Sequence, residues 1–354
     1  MSTLIKSRAR MRTRLVGVAA ATAAAALVLV GCSNGGATPT ETGSASEEEQ
    51  SEIETAAANA DPHAPEVDTL RAALWQGPIS AQFFIANDIA QENYGLSLTS
   101  DWMTDANVGR AQLAAGEIEL TPGSPYGAVQ LIQGGTDTVI VAGNYISQPG
   151  EVMVFALPGS GIESVADLAG KTIAMTSVAG VHPNRIRLEI QKAGGDPNSL
   201  TVVASQYGEM AAQLNSGVVD AVSVAAFALA NIKKDAPDAV KIFDLGEGPY
   251  AGRPENVWST TRAFYLAHPN AIAAFQCSIA EAGKLANEGP AMVDFMKNVL
   301  EWPQAVIDVA LPPISAEGPI PLDKLQADWD EEVALNGSQP FDVSTILVPW
   351  PTNC

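Results

Sequence analysis

Between residues 161 and 227 short apolar runs alternate with amphipathic ones at a pitch that constrains the fold more than any other feature of the chain. Residues 171–175, KTIAM, form a short strand-like run that stops at the small-residue loop TSVAG, residues 176–180. A helix-like segment follows, with Pro183 near its first position, where a missing N–H costs nothing, and Gly194 and Gly195 able to close it in a left-handed conformation. Ile186, Ile190 and Ala193 recur at helical spacing. Thr201–Ala204 reads as a second strand, residues 209–216 as a second helix stopped by Gly217, and residues 218–224 as a third strand. Alternation of this kind predicts a parallel sheet with right-handed crossovers. Ligands of such sheets bind beyond the carboxyl ends of the strands, which singles out residues 176–183 and 223–227.

The ordered series GIxSxxDLxGKxIA, a small-residue loop, a helix and then AQLNSGVVDAV resembles the solute-binding proteins of ABC importers. The nearest group is the one similar to nitrate, sulfonate or taurine, and pyrimidine-precursor binding proteins, and the resemblance extends more weakly over residues 67–349. It implies an α/β, two-lobed periplasmic-binding-protein-like fold of type II, each lobe a mostly parallel sheet flanked by helices. It also implies a small-molecule solute held between the lobes, ABC permease and ATPase subunits as partners, no cofactor and a monomer.

The chain starts with Lys6, Arg8, Arg10, Arg12 and Arg14 and no acid, followed by an apolar run over residues 15–30. That run is shorter than the roughly 20 residues a spanning helix needs, so it reads as a secretory signal. It ends in Leu29, Val30, Gly31 and Cys32, which resembles a bacterial lipoprotein processing site. The expectation is a signal peptide over residues 1–31 and a lipidated Cys32 anchoring the protein on the outer face of the cell membrane; ordinary cleavage with Cys32 as a chance thiol is the alternative. Residues 32–66, rich in Thr, Ser, Ala, Glu and Pro, bury too little apolar surface to offset chain entropy and are expected to be a disordered tether. The run Glu47, Glu48 and Glu49 reads as solvated charge, with an acidic metal cluster as the alternative.

The chain carries 19 Lys plus Arg against 40 Asp plus Glu, a formal charge of −21. Removal of the signal takes five positive charges and no negative one, leaving −26. A surface this acidic excludes nucleic acid as a partner class. Of three cysteines, Cys277 and Cys354 are left once Cys32 is assigned to the lipid. Outside the cytoplasm two such thiols are most simply a disulfide, which in the chain-entropy description contributes up to about 4 to 5 kcal/mol; two free thiols are the alternative. Neither lies in a CxxC or His-rich setting, so no metal is expected.

The same alternation runs through the first half: a strand at Thr69–Trp75, a helix at Ala81–Tyr94 with an apolar stripe ended by Gly95, a strand over 96–103, a helix over 107–115, a strand over 118–120, a helix at Pro125–Gln133 and a strand over 138–142. AQLAAGEIEL at residues 111–120 lies on AQLNSGVVDA at residues 212–221, pairing Gly116 with Gly217 and Glu119 with Asp220. This internal repeat places residues 121–126 in one lobe where 223–227 sit in the other, and residues 76–80 where 176–180 sit. Four loops then face one cleft. Residues 67–157 are expected to form the first part of lobe I, with 151–157 as the crossing, 158–248 lobe II, and 249–354 the return to lobe I with C-terminal helices.

Candidate ligand contacts follow from those loops. Trp75 is a stacking platform at a strand end, with Gln76 and Gly77 beside it, and a core position for Trp75 is the alternative. Ser124 stands before helix-terminal N–H donors suited to an anion, or is a plain cap. Ser177, Val178 and Ala179 are small enough for a ligand to approach backbone donors. Ser223 and Phe227 share the strand-end argument, and Tyr126, Tyr207 and Trp258 are alternative aromatic walls. His182 is a helix-entry residue or a contact, and Arg185 is expected to face solvent rather than pair with an anion.

No GxSxG, GxxxxGK[ST], HExxH or helix-opening GxGxxG is present, and no spacing singles out an acid–base pair, so an enzyme is not expected. The resemblance implies capture of a small anion, nitrate- or sulfonate-like, for delivery to a permease. An aromatic nitrogen heterocycle such as a pyrimidine or thiamine precursor, or a ligand-sensing lipoprotein, is the alternative.

Overall fold

The first described element is a helix where the composition predicts tether. Ser46 and Glu49 cap each other reciprocally at the start of α1 (Glu47–Asn59), and three glutamates occupy its first turn, where the helix dipole favours them. Ile53, α1's only branched aliphatic side chain, is buried at 1% exposure in the core of the first lobe. Tyr265 Oη donates to the Ile53 carbonyl at 3.1 Å and Arg262 Nη1 to that of Glu49 at 3.2 Å. The tether expectation for residues 46–59 is thus corrected: the segment lacks apolar mass of its own, but the lobe supplies the docking face.

A computed structural model describes residues 46–103, 105–178, 180–308 and 314–354. Cys32, the expected signal and the start of the expected tether lie outside the described residues. The elements that follow α1 are β1 (Thr69–Trp75), α2 (Ala81–Tyr94), β2 (Ser97–Met103), α3 (Ala106–Ala114), β3 (Thr121–Gly123), α4 (Pro125–Gln133) and β4 (Thr138–Ile146). The middle of the chain forms β5 (Val152–Ala156), β6 (Thr172–Met175), α5 (Val181–Lys192), β7 (Thr201–Ala204), α6 (Tyr207–Asn215), β8 (Ala221–Ala225), α7 (Leu229–Asp235) and β9 (Val240–Asp244). The last part contributes β10 (Pro254–Thr261), α8 (Arg262–Ala267), α9 (Pro269–Asn287), α10 (Pro290–Asn298), α11 (Gln304–Ile307), β11 (Ile314–Ser315) and α12 (Leu322–Asn336).

In lobe I, β1 and β2 pair in parallel, and β11, β4, β10 and β3 form a second ladder in that order. A parallel bridge from Ala72 to Leu120, just before β3, joins the two. Lobe II is a five-stranded sheet in the order β7-β6-β8-β5-β9, with β6 parallel to both β7 and β8. β5 runs antiparallel to its neighbours there, as β10 does in lobe I. These are the strands that follow a passage between lobes. β5 was expected in lobe I as the crossing itself; its pairing with β8 and β9 moves that crossing back to residues 147–151, and the return falls at 245–253.

The two crossings are bound to each other. Gly252 N–H donates to the Ser147 carbonyl at 2.7 Å and Ser147 N–H to that of Arg253 at 2.8 Å. The buried Asp244 carboxylate accepts from Gly150 N–H at 2.9 Å with one oxygen and from Gly246 N–H at 3.0 Å with the other. A Cβ at position 246 would collide with the Gln148 carbonyl, so only glycine lets the two chains pass so closely.

The repeat seen in the sequence is also a repeat of hydrogen bonds. Gly116 and Gly217 close α3 and α6 in left-handed conformations at φ 70° and 71°. Glu119 and Asp220 then accept the main-chain N–H of Arg71 at 2.7 Å and of Thr172 at 2.8 Å. At the other end of lobe I, a disulfide joins Cys277, buried on α9, to Cys354, with Cα atoms 5.3 Å apart.

Candidate functional site

A cleft of about 540 Å³ opens between the lobes at the carboxyl ends of their strands. Lobe I lines it with Trp75 after β1, Ser124 and Tyr126 after β3, and a face of α3; lobe II lines it with Met175, Thr176, Ser177 and Val178 after β6, Tyr207 on α6 and Ser223 on β8. His182 contributes from the first turn of α5. Ala179 lies outside the described residues.

Four candidates are placed elsewhere. Gln76 is solvent-exposed and neither it nor Gly77 reaches the cleft, because the chain turns away where Ser80 Oγ donates to the Trp75 carbonyl at 2.6 Å. Phe227 packs against Tyr207 at 5.2 Å and Trp302 at 6.1 Å between ring centres, under the cleft wall. Trp258 is 0% exposed, stacked on Phe83 at 5.3 Å and edge-on to Phe275 at 5.4 Å, in the core of lobe I. β10 is covered on both faces, so alternation along it gave no direction for that ring.

Other lining residues carried no sequence signal. Tyr145 reaches the cleft because β4 continues past residue 142 to Ile146, and Asn256 meets it from β10, bonded to Asn144 Nδ2 at 3.2 Å. On α3, Asn107 and Arg110 face inward one turn apart, the one helical cue available. Arg110 Nη2 donates to Asn107 Oδ1 at 2.6 Å, and the guanidinium lies over the first turn of α4, where a Cβ on Gly127 would come within 2.7 Å of it. Ser124 caps that helix, accepting from Gly127 N–H at 3.3 Å. Among the described residues Arg110 makes no ion pair. Asp105, also on the cleft, is engaged as the cap of α3.

The cleft floor holds one further carboxylate. Glu255, on β10, is gripped by Arg185 on one oxygen and lies 3.1 Å from His182 Nε2 on the other. Burial works against its charge, but the Arg185 guanidinium and then His182 prevail and hold the carboxyl down at about 2. Arg185, expected at the surface, is only 1% exposed. Its partners come from both crossings and from lobe I, so no local pattern in α5 revealed it. Behind it, burial pushes the Glu151 carboxyl up to about 9, and the neighbouring Glu255 charge adds to the rise. Thus Glu255 stays ionised on the cleft floor, while burial favours the protonated form of Glu151 away from the lining.

Two α/β lobes joined by paired crossings, with polar and aromatic groups from both facing one cleft, define a periplasmic-binding-protein fold. Residues 104–292 match the family described as NMT1/THI5 like, and the chain belongs to that family. Solved structures share the fold. The alkanesulfonate-binding protein of Xanthomonas axonopodis pv. citri, bound to MOPS, aligns with a TM-score of 0.64 at 18% identity over 80% of this chain and 99% of that one. The periplasmic aliphatic sulphonate binding protein of Escherichia coli gives 0.65 at 16% over 82% and 94%. The periplasmic nitrate-binding protein of Synechocystis PCC 6803 gives 0.59 at 15% over 76% and 82%. Comparison with curated proteins by sequence finds no match. Among the described residues no helix is long and apolar enough to cross a membrane and no group of His, Cys, Asp and Glu is placed to hold a metal ion.

Proposed function

We propose that this protein is the extracytoplasmic solute-binding component of an ABC importer and carries a small anion, nitrate- or sulfonate-like, to its permease. The observation that carries the reading is Arg110: a cleft guanidinium with no ion pair among the described residues, set against the first turn of α4, while the two cleft carboxylates are already engaged. Oriented N–H groups and an uncommitted cation suit an anionic oxygen cluster. Ligand contacts from both lobes exist only when the cleft is shut, so binding shifts the lobes toward closure by that difference in affinity. The chain acts by binding and release, with no catalytic step and as a monomer. Residues 1–31 serve as the signal and Cys32 as the lipidated anchor holding it at the outer face of the cell membrane.

A thermal-shift panel of nitrate, short alkanesulfonates, aromatic sulfonates and uncharged pyrimidines tests the class. A ligand at 100 times its Kd adds about 2.7 kcal/mol of stability. Anions should raise Tm, and Arg110→Gln should abolish that rise while leaving the unliganded Tm in place. A response confined to neutral heterocycles would instead favour the second reading, in which Trp75, Tyr145 and Tyr207 supply stacking walls. For the anchor, Cys32→Ala should release the protein from membranes or leave it uncleaved.

A further inference from the structure

Helix α5 belongs to lobe II by chain order, since it follows β6, yet its first turns are embedded in lobe I. Val181 is buried in the same apolar cluster as Tyr126, Trp329 and Val257. Asn184, 2% exposed, donates to Glu332 of α12 and accepts from Asn336 Nδ2 at 3.3 Å. On the helix's other side, Arg185 Nη1 donates to Ser147 Oγ at 3.1 Å on the first crossing and to the Leu245 carbonyl at 3.0 Å on the second, besides gripping Glu255.

These contacts divide by position. A side chain bonded to both crossings sits where the chain passes between the lobes, so its bonds to Ser147 and Leu245 change least with lobe angle, while Glu255 on β10 and Asp328, 3.8 Å away on α12, tie it to lobe I. A buried guanidinium also cannot leave its carboxylate without stranding a charge in the interior. Val181 and Asn184 have no such tie to the crossings: their partners are on the body of lobe I, so rotation away from it must pull them out. The loop immediately before them, residues 176–178, lines the cleft.

We propose that the first turns of α5 are a closure latch, with Arg185 as its pivot and the Asn184–Glu332 contact as its lock, that holds the lobes together by protein contacts alone. The ligand then adds to a closure already favoured. This goes beyond the solute-binding reading and needs no ligand for its test.

Nitroxide labels at Val293→Cys on α10 and Val218→Cys, both exposed and one on each lobe, report lobe separation by pulsed dipolar spectroscopy in ligand-free protein. The parent should show a dominant short distance. Glu332→Ala should raise the long-distance population at least about fivefold, while Glu332→Gln, which keeps an acceptor for Asn184, retains the parent distribution. Circular dichroism and Tm establish that each variant is folded, and Asn184→Ala gives a second opening of the lock. An open ligand-free parent, or distributions unchanged by Glu332→Ala and Asn184→Ala, would overturn the latch while leaving anion binding untouched.

Discussion

Glu119 and Asp220 hold equivalent stations in the two lobes: each follows a helix closed by a left-handed glycine, and each carboxylate accepts the main-chain N–H of a neighbouring strand, Arg71 in β1 or Thr172 at the start of β6. The carboxylate fixes where the helix returns to its sheet. Asp220→Ala leaves the Thr172 N–H without that acceptor and should cost about 1 to 3 kcal/mol in urea denaturation. Asp220→Asn, which keeps a carbonyl oxygen, should recover about half. Equal losses in the two variants would show that the bond itself contributes nothing.

The crossing region predicts an unusual dependence of stability on pH. Glu255, held down at about 2, contributes stability that is present above the ordinary glutamate value of 4.5 and lost as pH falls through about 2. Glu151 has the opposite sign: its folded form keeps a proton up to about 9, whereas the unfolded chain releases it near 4.5, so stability declines between those values as pH rises. Glu255, Asp244 and Arg185 face it. Asp328, pushed by burial to about 6 against the pull of Arg185 and Arg253, adds to the decline below that point. Tm should therefore peak at mildly acidic pH, and Glu151→Gln should flatten the alkaline arm. Calorimetry from pH 3 to 9 on both proteins decides it, an unchanged slope in the variant being the contrary result.

Two tryptophans separate binding from folding. Trp258→Ala opens a cavity in the lobe I core and should lower stability by about 3 to 5 kcal/mol. Trp75→Ala, on the cleft wall, should weaken binding of whichever anion the panel selects by about tenfold with a far smaller effect on folding. Titration calorimetry alongside denaturation separates the two, and equal affinity in Trp75→Ala would remove that ring from the site.

The Cys277–Cys354 bond closes a loop of 77 residues across lobe I. Non-reducing mass spectrometry should show the two peptides joined. Replacing both by serine should cost about 2 to 5 kcal/mol, and free labelling of both thiols in natively folded protein would contradict the pairing.

Elements whose signals are local were legible in the sequence. Thr69–Trp75, Ala81–Tyr94 and Pro125–Gln133 could be bounded because periodicity ended at Gly95 and began at the cap Ser124 and Pro125. What was missed depended on distant partners. Ile53 orders α1 only because a lobe awaits it, and β4 runs past Gly143 and Asn144, which alone resemble a stop. Arg185 meets Glu255 70 residues away, so a helix wheel could not show it as buried. The cleft loops after β3 and β6 followed from topology, whereas Gln76, Gly77 and Phe227 turn away from the cleft; Arg110 reaches it from a helix face, Tyr145 from a strand expected to end at residue 142, and Glu255 and Asn256 from the start of β10.

The shared Asp244 has a mechanical corollary. Because one carboxylate holds Gly150 and Gly246 together, and Ser147 bonds to Gly252 and Arg253, neither chain passage can twist without carrying the other. Two independent linkers would let the lobes shear, roll and swing. The bonded crossings oppose the first two and leave rotation about their shared line as the least hindered motion, which a single interlobe distance would follow.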